Sequence, residues 1–504
     1  MSLQRATARG VVWSSIERVA GQGLQLATTV LLIRLLTPKD FGLLAMVTVF
    51  IGFAMTFSEF GFGSALIQKQ DITPQHTSSV FWTNVLLGMA ITAIFFFSAP
   101  LLASFYNAPL LESLTRALAF TFTINAFSIV PRALLARAMH FQRLAKAEII
   151  AVTIAGISAV CVALVGWGVW ALVVQNLIRE MTRSLATLLL ANWRPEARFS
   201  LAAIKDFIKY GSHLSGFQFI NYWARNSDNL LIGKYLSVSS LGIYTRAYSI
   251  LLIPLTQLIG ALTQVMFPAL SSIQNDIHKV RDVYLRAMGI ISFLIYPAML
   301  GLLVAAKPFT LTLLGAHWLD SAYIIQIFCI VSLSQAICNP TGWIYMSQGR
   351  TDWMFRWGLF GSTSLIVAIV IGVYFGSIES VAIAYLVATL LITYPCIAIP
   401  GKLIQMTFMD VIRAIAPSFI CASIMAFLVW CIGATLPETW SASIHLTVQV
   451  FSGTIIYLVL AGGFRLKACR ELCQITAEQF GVKVEAIIPA LGSLGNRYRS
   501  LIRK

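Results

Sequence analysis

The chain has 504 residues, of which 58% are hydrophobic and only 11% are charged. Soluble globular domains carry about 25% charged residues, so this composition excludes an ordinary soluble fold. The formal net charge is +16, but basic loops lying against anionic lipid headgroups explain it, and we expect no nucleic-acid partner.

Apolar stretches long enough to cross a bilayer recur along the whole chain. They predict an all-α, polytopic membrane protein with about 14 transmembrane helices. We expect two six-helix bundles in a parallel pseudo-twofold repeat, followed by two extra C-terminal helices. The predicted spans are residues 11–36, 41–65, 79–104, 114–136, 148–166, 168–191, 207–233, 239–268, 284–306, 320–345, 355–375, 378–400, 412–434 and 441–463.

The first span carries a polar stripe on an otherwise apolar helix. Arg18, Gln22, Gln25 and Thr29 fall within a narrow arc of one face at 100° per residue. The span is too long for a signal peptide and contains an arginine, so we expect it to stay in the membrane.

The sixth span ends in a charged run, Arg179 to Arg183, which we interpret as a solvated helix end with an internal ion pair. A polar break at residues 192–206 follows. Pro195 stops the helix, and Ser200 is placed to cap a short interfacial helix. This break is the predicted linker between the two bundles.

The seventh span repeats the design of the first at an offset of 200 residues. Val30–Thr37 precedes Phe41-Gly42-Leu43, and Leu230–Ser237 precedes Leu241-Gly242-Ile243. The second polar stripe consists of Gln218, Tyr222, Arg225 and Asn229. In a transporter built from two repeated halves, each half contributes a helix with one polar face to a shared cavity. The two stripes therefore predict such a cavity.

The predicted domains follow from these breaks. They are an N-lobe at 1–191, a cytoplasmic linker at 192–206, a C-lobe at 207–400, helices 13 and 14 at 401–464, and a basic cytoplasmic tail at 465–504.

Lysine and arginine are concentrated in alternate loops, such as those around residues 132–146 and 194–209 and in the tail. By the positive-inside rule, this bias predicts that both termini are cytoplasmic. The eight cysteines are scattered, so we expect reduced thiols. Cys469 and Cys473 have no second cysteine or histidine pair, and we predict neither a metal site nor a cofactor.

Five runs of sequence resemble the polysaccharide transporters of the MOP superfamily, and the resemblance covers about residues 5–460. It is closest to the Wzx-type flippases, in the branch with colanic-acid and succinoglycan exporters. The runs are Gly61–Gln68, Pro131–Arg137, Gly166–Leu172, Asp228–Gly233 and Leu241–Tyr248.

This resemblance implies a V-shaped, two-lobed protein of the bacterial inner membrane. Proteins of this kind move undecaprenyl-diphosphate-linked oligosaccharide units from the cytoplasmic to the periplasmic leaflet, for exopolysaccharide or capsule synthesis. The implied partners are the lipid-linked oligosaccharide, membrane lipids and a polysaccharide polymerase with its export machinery.

The polar stripes supply candidate groups for such a cargo. Arg18 and Arg225 are predicted to contact the diphosphate, because guanidinium groups bind phosphate oxygens bidentately and stay charged. Asp228 and Glu59 are the intramembrane carboxylates predicted to couple transport to a cation. Neutral hydrogen bonds to sugars are expected from Gln22, Gln25, Gln218, Asn221, Tyr222 and Asn229, and aromatic stacking from Tyr222, Trp223, Tyr244 and Tyr248.

Each choice has a structural alternative. Arg225 and Asp228 are three residues apart and can neutralise each other, as can Arg18 with Glu17 or Glu59. A charge inside a membrane nevertheless marks function by default.

Other functional classes fit less well. A membrane glycosyltransferase or polymerase would need a long outer loop with catalytic groups, and none is present. A cation-coupled exporter of a drug or another lipid shares the two-bundle plan, but typically has twelve spans and an acidic cavity. A channel does not require a cavity shared by two repeated halves, so the repeated polar stripes favour a transporter over a channel. The chain has no P-loop, so ATP hydrolysis is not expected.

Overall fold

The computed structural model describes residues 20–58, 62–69, 71–197, 199–200, 222–223 and 226–471. The described residues form helices joined by short turns and contain no strand, which confirms the all-α prediction. They divide into two compact units between Gly242 and Ile243.

The first unit contains eight helices among its described residues, and the last two of them flank the 201–221 gap. The helices are α1 (20–35), α2 (Pro38–Ser58), α3 (Phe62–Gln68), α4 (Pro74–Tyr106), α5 (Leu110–Arg137), α6 (Phe141–Leu164), α7 (Trp170–Ala191) and α8 (226–235).

The long helix α9 (Val238–Ser272) begins in the first unit and continues into the second. The described part of the second unit continues with α10 (Ile277–Phe309), α11 (Ser321–Cys338), α12 (Thr341–Ser347), α13 (Thr351–Tyr374), α14 (Ile378–Gly401), α15 (Phe408–Thr435) and α16 (Ala442–Gly463).

Eleven helical spans in the described part of the chain are long and apolar enough to cross a membrane. Helix α7 is as long, but it carries three charged side chains, Arg179, Glu180 and Arg183. Helices α1 and α8 adjoin residues outside the described ranges. The total of fourteen spans therefore stays a prediction.

Helix lengths and packing partners recur in the two units. Helices α4 and α10 are both 33 residues long, and α6 and α13 are both 24. In the first unit α4 packs on α5, α6 on α7 and α5 on α7; in the second, α10 packs on α11, α13 on α14 and α11 on α14. The repeat seen in the sequence is thus matched by the same order of helix contacts.

The last two helices make the units different. Helices α15 and α16 pack on α10 and on each other. The counterpart α4 keeps an apolar outer face, on which Ile94, Phe97 and Leu101 are 63%, 78% and 72% exposed. In a membrane this face contacts lipid directly.

The N-terminal foot of α4 is tied to the segment that follows α7. The Trp82 indole N–H donates to the Glu196 carbonyl at 2.9 Å. The Ser78 and Ser79 hydroxyls accept hydrogen bonds from the backbone N–H groups of Glu196 and Ser200, both at 3.0 Å. The described part of the predicted linker is therefore packed on α4. The predicted interfacial helix after Ser200 lies outside the described residues.

Candidate functional site: the polar faces and charges of the first unit

The repeated glycines mark a place where two helix starts touch. A Cβ atom on Gly42 would overlap the carbonyl oxygen of Val238, and one on Gly242 would overlap the carbonyl oxygen of Pro38. The flanking side chains Phe41 and Leu241 are buried. The first turns of α2 and α9 thus meet backbone to backbone, and only glycine at both positions allows this distance.

The same repeat sets the beginning of both helices. The Asp40 carboxylate accepts hydrogen bonds from the N–H and the hydroxyl of Thr37, at 2.9 and 2.7 Å. In the second copy, the Ser237 hydroxyl accepts from the N–H of Ser240 at 3.0 Å. These bonds satisfy donors that a helix N-terminus leaves unpaired.

On α1, the structure describes three residues of the first polar stripe. Gln22 is exposed, and Gln25 and Thr29 are half-buried. The Thr29 hydroxyl donates to the Gln25 carbonyl at 2.7 Å. Packing against α6 is made by the neighbouring Thr28, whose side chain fills the space above Gly156.

In the second stripe, Tyr222 is engaged in helix packing. Its hydroxyl donates to the Val49 carbonyl at 2.5 Å. The adjacent Trp223 ring lies 4.9 Å from that of Phe53 and 6.1 Å from that of Phe50. Trp223 also lines a largely apolar groove of about 810 Å³ with side chains of α2 and α4. These aromatic groups hold residues 222 and 223 against α2.

Two more candidate site residues, Asp228 and Asn229, lie on α8. Asp228 is 6% exposed, and its Oδ1 accepts from the N–H of Asn229 at 2.7 Å. Asn229 itself is half-buried. One turn further on, the Lys234 ammonium donates to the Phe105 carbonyl and lies 4.6 Å from the centre of the Phe105 ring.

Several predicted site residues fall elsewhere. The Tyr244 and Tyr248 rings pack with Phe328 and Tyr385 inside the second unit. The remaining predicted residues lie outside the described residues; they are Arg18, Glu59, Gln218, Asn221 and Arg225.

A half-buried charge cluster on α6 and α7 was not predicted as a site. Arg179 Nη2 lies 2.5 Å from Glu148 Oε1, and Arg183 is paired with Glu180. The expected internal ion pair is thus present, but the expectation that it is solvated was wrong, because both of its side chains are only 17% exposed. Arg183 Nη2 also donates to Asn125 Oδ1 of α5, at 3.2 Å.

A sequence signal for this cluster did exist. Arg179 and Arg183 are four residues apart, so they share one face of a helix, and Glu148 begins the predicted fifth span. What the sequence does not contain is that α5 and α6 pack on α7 and cover part of that face.

A cavity of about 300 Å³ adjoins the cluster. Three charged side chains line it, Arg132 from α5, Glu148 from α6 and Arg183 from α7, and Gly63 and Ile67 of α3 close one side. The described residues contain no group of three or more histidine, cysteine, aspartate or glutamate side chains that could hold a metal ion.

Comparisons with known proteins give three findings. A family model described as "Polysaccharide biosynthesis protein" matches residues 31–323. The chain is 29% identical over 399 residues to the lipopolysaccharide biosynthesis protein WzxC of Escherichia coli (strain K12), covering 78% of this chain and 80% of that protein. It is 25% identical over 464 residues to the succinoglycan biosynthesis transport protein ExoT of Rhizobium meliloti (strain 1021), covering 90% and 92%.

The fold is similar to that of a solved transporter. The structure titled "Lipid II flippase MurJ, inward closed conformation" matches with a TM-score of 0.73 and 15% identity, covering 90% of this chain and 98% of that one. At this identity the match describes the fold.

Proposed function

Because the chain belongs to the family of polysaccharide biosynthesis proteins, whose model matches more than half of it, we propose that it is a flippase for lipid-linked oligosaccharides. The resemblance to the polysaccharide transporters of the MOP superfamily is confirmed. The protein is a multi-pass membrane transporter and not an enzyme. The observation that carries the proposal is the family match, and the fold shared with a flippase agrees with it.

The cargo's chemistry explains why a polar face is needed. The polyprenyl tail can stay in lipid, whereas the diphosphate and sugars need a wet, cationic path through a medium of low dielectric constant. We propose that Arg18 and Arg225 contact the diphosphate. The stripe residues proposed to contact sugars are Gln22, Gln25, Gln218, Asn221, Tyr222 and Asn229.

These proposed residues differ in how exposed they are and in how far they are engaged in helix packing. Gln22 is exposed on α1, so it is well placed to bind cargo. The Tyr222 hydroxyl donates to the Val49 carbonyl of α2, and its ring packs on Phe53, so only the uncovered part of the ring remains for a sugar. Asp228 and Glu59 are the carboxylates that we propose for cation coupling, by protons or sodium.

We further propose a bacterial inner membrane location, with both termini and the 192–206 linker in the cytoplasm. The lobes in this arrangement are residues 1–191 and 207–400, and the additional helices are 401–464. A polysaccharide polymerase on the periplasmic side is the expected consumer of the flipped cargo.

This topology predicts which exposed positions an impermeant thiol reagent reaches. We start from a chain whose own eight cysteines are replaced. Single cysteines at His317 and Glu438 should be labelled from outside intact cells, whereas cysteines at Glu196 and Lys279 should be labelled only after permeabilisation. All four positions are exposed in the structure, so a difference reports sidedness and not burial. The reverse pattern would overturn the topology and the direction of transport.

Apolar replacements in the first polar stripe should reduce transport without reducing the stability of the fold. Gln22→Leu and Gln25→Leu should reduce transport several-fold and leave expression and melting temperature near those of the wild type, because Gln22 is exposed and Gln25 is only half-buried. Leu26→Ile, at an exposed position on the same helix, is the matched control. Loss of folding in the glutamine variants would instead identify the stripe as a helix-packing seam.

The flippase proposal is tested by reconstitution. Liposomes containing the purified chain and a polyprenyl-diphosphate oligosaccharide are treated with an enzyme that degrades only external head groups. We expect the protected fraction to fall with time in the presence of the protein and to stay constant without it. If the protein leaves the protected fraction unchanged but exports a cationic drug, the alternative of a cation-coupled exporter replaces the flippase.

A further inference from the structure

We propose that a cavity at one end of the second unit binds the headgroup of an anionic phospholipid. The cavity has a volume of about 560 Å³ and lies between the N-terminal parts of α10 and α15 and the turn that follows α16. Lipid binding at this place goes beyond the flippase activity and does not require it. Only the assignment to the cytoplasmic leaflet rests on the proposed topology.

The turn that ends α16 forms one wall of the cavity. The N–H of Leu466 donates to the carbonyl of Ala461 at 3.0 Å, and Arg465 has a φ of 51°. Glycine is the usual residue in this left-handed conformation at a helix end, but here an arginine occupies it. Leu466 and Ala468 are buried, whereas Arg465 and Lys467 are exposed. The buried side chains therefore anchor the turn and keep the two basic side chains at the cavity.

Two ion pairs connect the walls of the cavity. Arg286 of α10 lies 3.3 Å from Glu471, which follows the turn. Arg281 of α10 lies 3.0 Å from Asp410 of α15. Both carboxylates are thus already engaged with a cation on α10.

The charges that line the cavity are mostly positive. Arg286 and Glu471 neutralise each other. In the part of the chain that the structure describes, the other three basic side chains make no ion pair, and only one further carboxylate lines the cavity. These three basic residues are Arg413, Arg465 and Lys467, and the carboxylate is Asp282. The excess of positive charge favours an anionic ligand.

The remainder of the chain does not supply this anion. Residues 472–504 contain more basic than acidic side chains, so their sequence does not complement a basic cavity. The basic residues are Lys483, Arg497, Arg499, Arg503 and Lys504, and the acidic residues are Glu478 and Glu485. We therefore expect the ligand to be a separate molecule.

The apolar part of the lining favours a lipid over a soluble anion. Leu285, Pro417 and Phe464 line the cavity together with the charged groups, and Phe464 is 63% exposed. Apolar and basic side chains in one cavity match a molecule with acyl chains and a phosphodiester. Guanidinium groups bind phosphate oxygens with two hydrogen bonds, and basic pockets between transmembrane helices at the cytoplasmic side bind acidic headgroups.

The experiment measures binding of phosphatidylglycerol to the purified full chain by native mass spectrometry, with phosphatidylcholine present as a competitor. We expect one phosphatidylglycerol to bind more tightly than the rest. A basic residue near acidic lipid contributes about 1 kcal/mol, or about fivefold in affinity. Replacing both Arg413 and Arg465 by glutamine should therefore weaken this binding about 25-fold, at the same value for each residue.

Arg356→Gln is the matched control for a loss of positive charge. Arg356 is the sixth residue of α13, as Arg413 is of α15, and both are exposed. Arg356 does not line the cavity, so its replacement should change the tight binding less than twofold. Equal losses in Arg356→Gln and Arg413→Gln would show a diffuse attraction to acidic lipid and overturn the proposal.

Asp282→Asn tests the site even if the double arginine variant does not fold. This change removes the one unpaired carboxylate that lines the described cavity, so phosphatidylglycerol should bind several-fold more tightly. Unchanged or weaker binding would refute the site.

Competition distinguishes a lipid from other anions. Excess inorganic phosphate or an acidic peptide should leave the tightly bound phosphatidylglycerol in place, and displacement by either would overturn the assignment to a lipid. The assay measures no transport, so its outcome is separate from that of the reconstitution. A protein that transfers oligosaccharide without this tight binding would refute the lipid site alone, whereas tight binding without transfer would refute the flippase alone.

Discussion

Replacing both Arg18 and Arg225 by alanine should abolish most transfer of lipid-linked oligosaccharide. A hydrogen bond to a charged group contributes about 1.5–3 kcal/mol, so losing one guanidinium contact should slow transfer roughly tenfold to a hundredfold. The double variant should lose more. The measurement is the head-group protection assay with purified protein, and Arg116→Ala is the control for removing an arginine.

The single variants should differ because the sequence repeat predicts different depths for the two arginines. Arg225 occupies the position of Gln25 in the first repeat, seven residues beyond Arg18, or about 10 Å along the axis. Arg18→Ala should weaken capture from the cytoplasmic leaflet, and Arg225→Ala should slow outward passage more than capture. Lysine at either position should restore only part of the activity, since it loses bidentate geometry. A wild-type rate for the double variant would show that the diphosphate is held elsewhere.

The second large effect is expected at the repeated glycines. Gly42→Val or Gly242→Val places a side chain where the backbone of the other helix lies. Because the obstacle is a carbonyl oxygen and not a flexible side chain, the helix starts must separate, and overpacking of this kind costs about 1–3 kcal/mol or more. Lower melting temperature and loss of transport should follow together, measured by thermal unfolding and by the protection assay.

The matched control for this effect lies on the same helix. Gly260 is a helical glycine of α9 with no atom within 4 Å of the place its Cβ would occupy. Gly260→Ala should therefore be neutral or slightly stabilising, because alanine favours the helix by about 1 kcal/mol over glycine. If the valine variants at residues 42 and 242 melt like Gly260→Ala, the close contact does not exist in the membrane.

Hydropathy predicts the membrane part of each helix but not its start. Helices α4, α6, α10, α13 and α15 all begin four to seven residues before the predicted spans. Three of these starts are set by side-chain caps, namely the Thr73 and His76 capping box of α4, the Asp276 side chain at α10 and the Thr407 and Asp410 capping box of α15. Helices α6 and α13 begin without a side-chain cap. Hydropathy averaged along the sequence cannot detect a helical turn that is stabilised by capping hydrogen bonds and not by apolar side chains.

The prolines of the predicted spans occupy two kinds of position in the structure. Pro254, Pro268 and Pro297 lie inside continuous helices. Pro340 stands between α11 and α12 and caps the start of the latter. The predicted span 320–345 is therefore two helices, because proline cannot donate the hydrogen bond that would continue α11.

The sequence predicted which residues could form the candidate site but not which contacts they make. The repeat located Gln22, Tyr222 and Asn229 in sequence, since a wet helix face has a period that can be read from one helix. The role of the Tyr222 hydroxyl depends on Val49, and the burial of Arg183 depends on α5 and α6. Such contacts join segments far apart in the chain, and no local pattern encodes them.

The tied foot of α4 sets the thickness of bilayer that suits the protein. The exposed apolar side chains of α4 run from Leu86 to Phe105, about 29 Å along the axis, which matches a hydrocarbon layer of about 30 Å. Just below this band, Trp82 and Ser79 are bonded to the segment after α7. A thicker bilayer would draw these polar bonds toward hydrocarbon, so hydrophobic mismatch acts first on the segment that joins the two repeats.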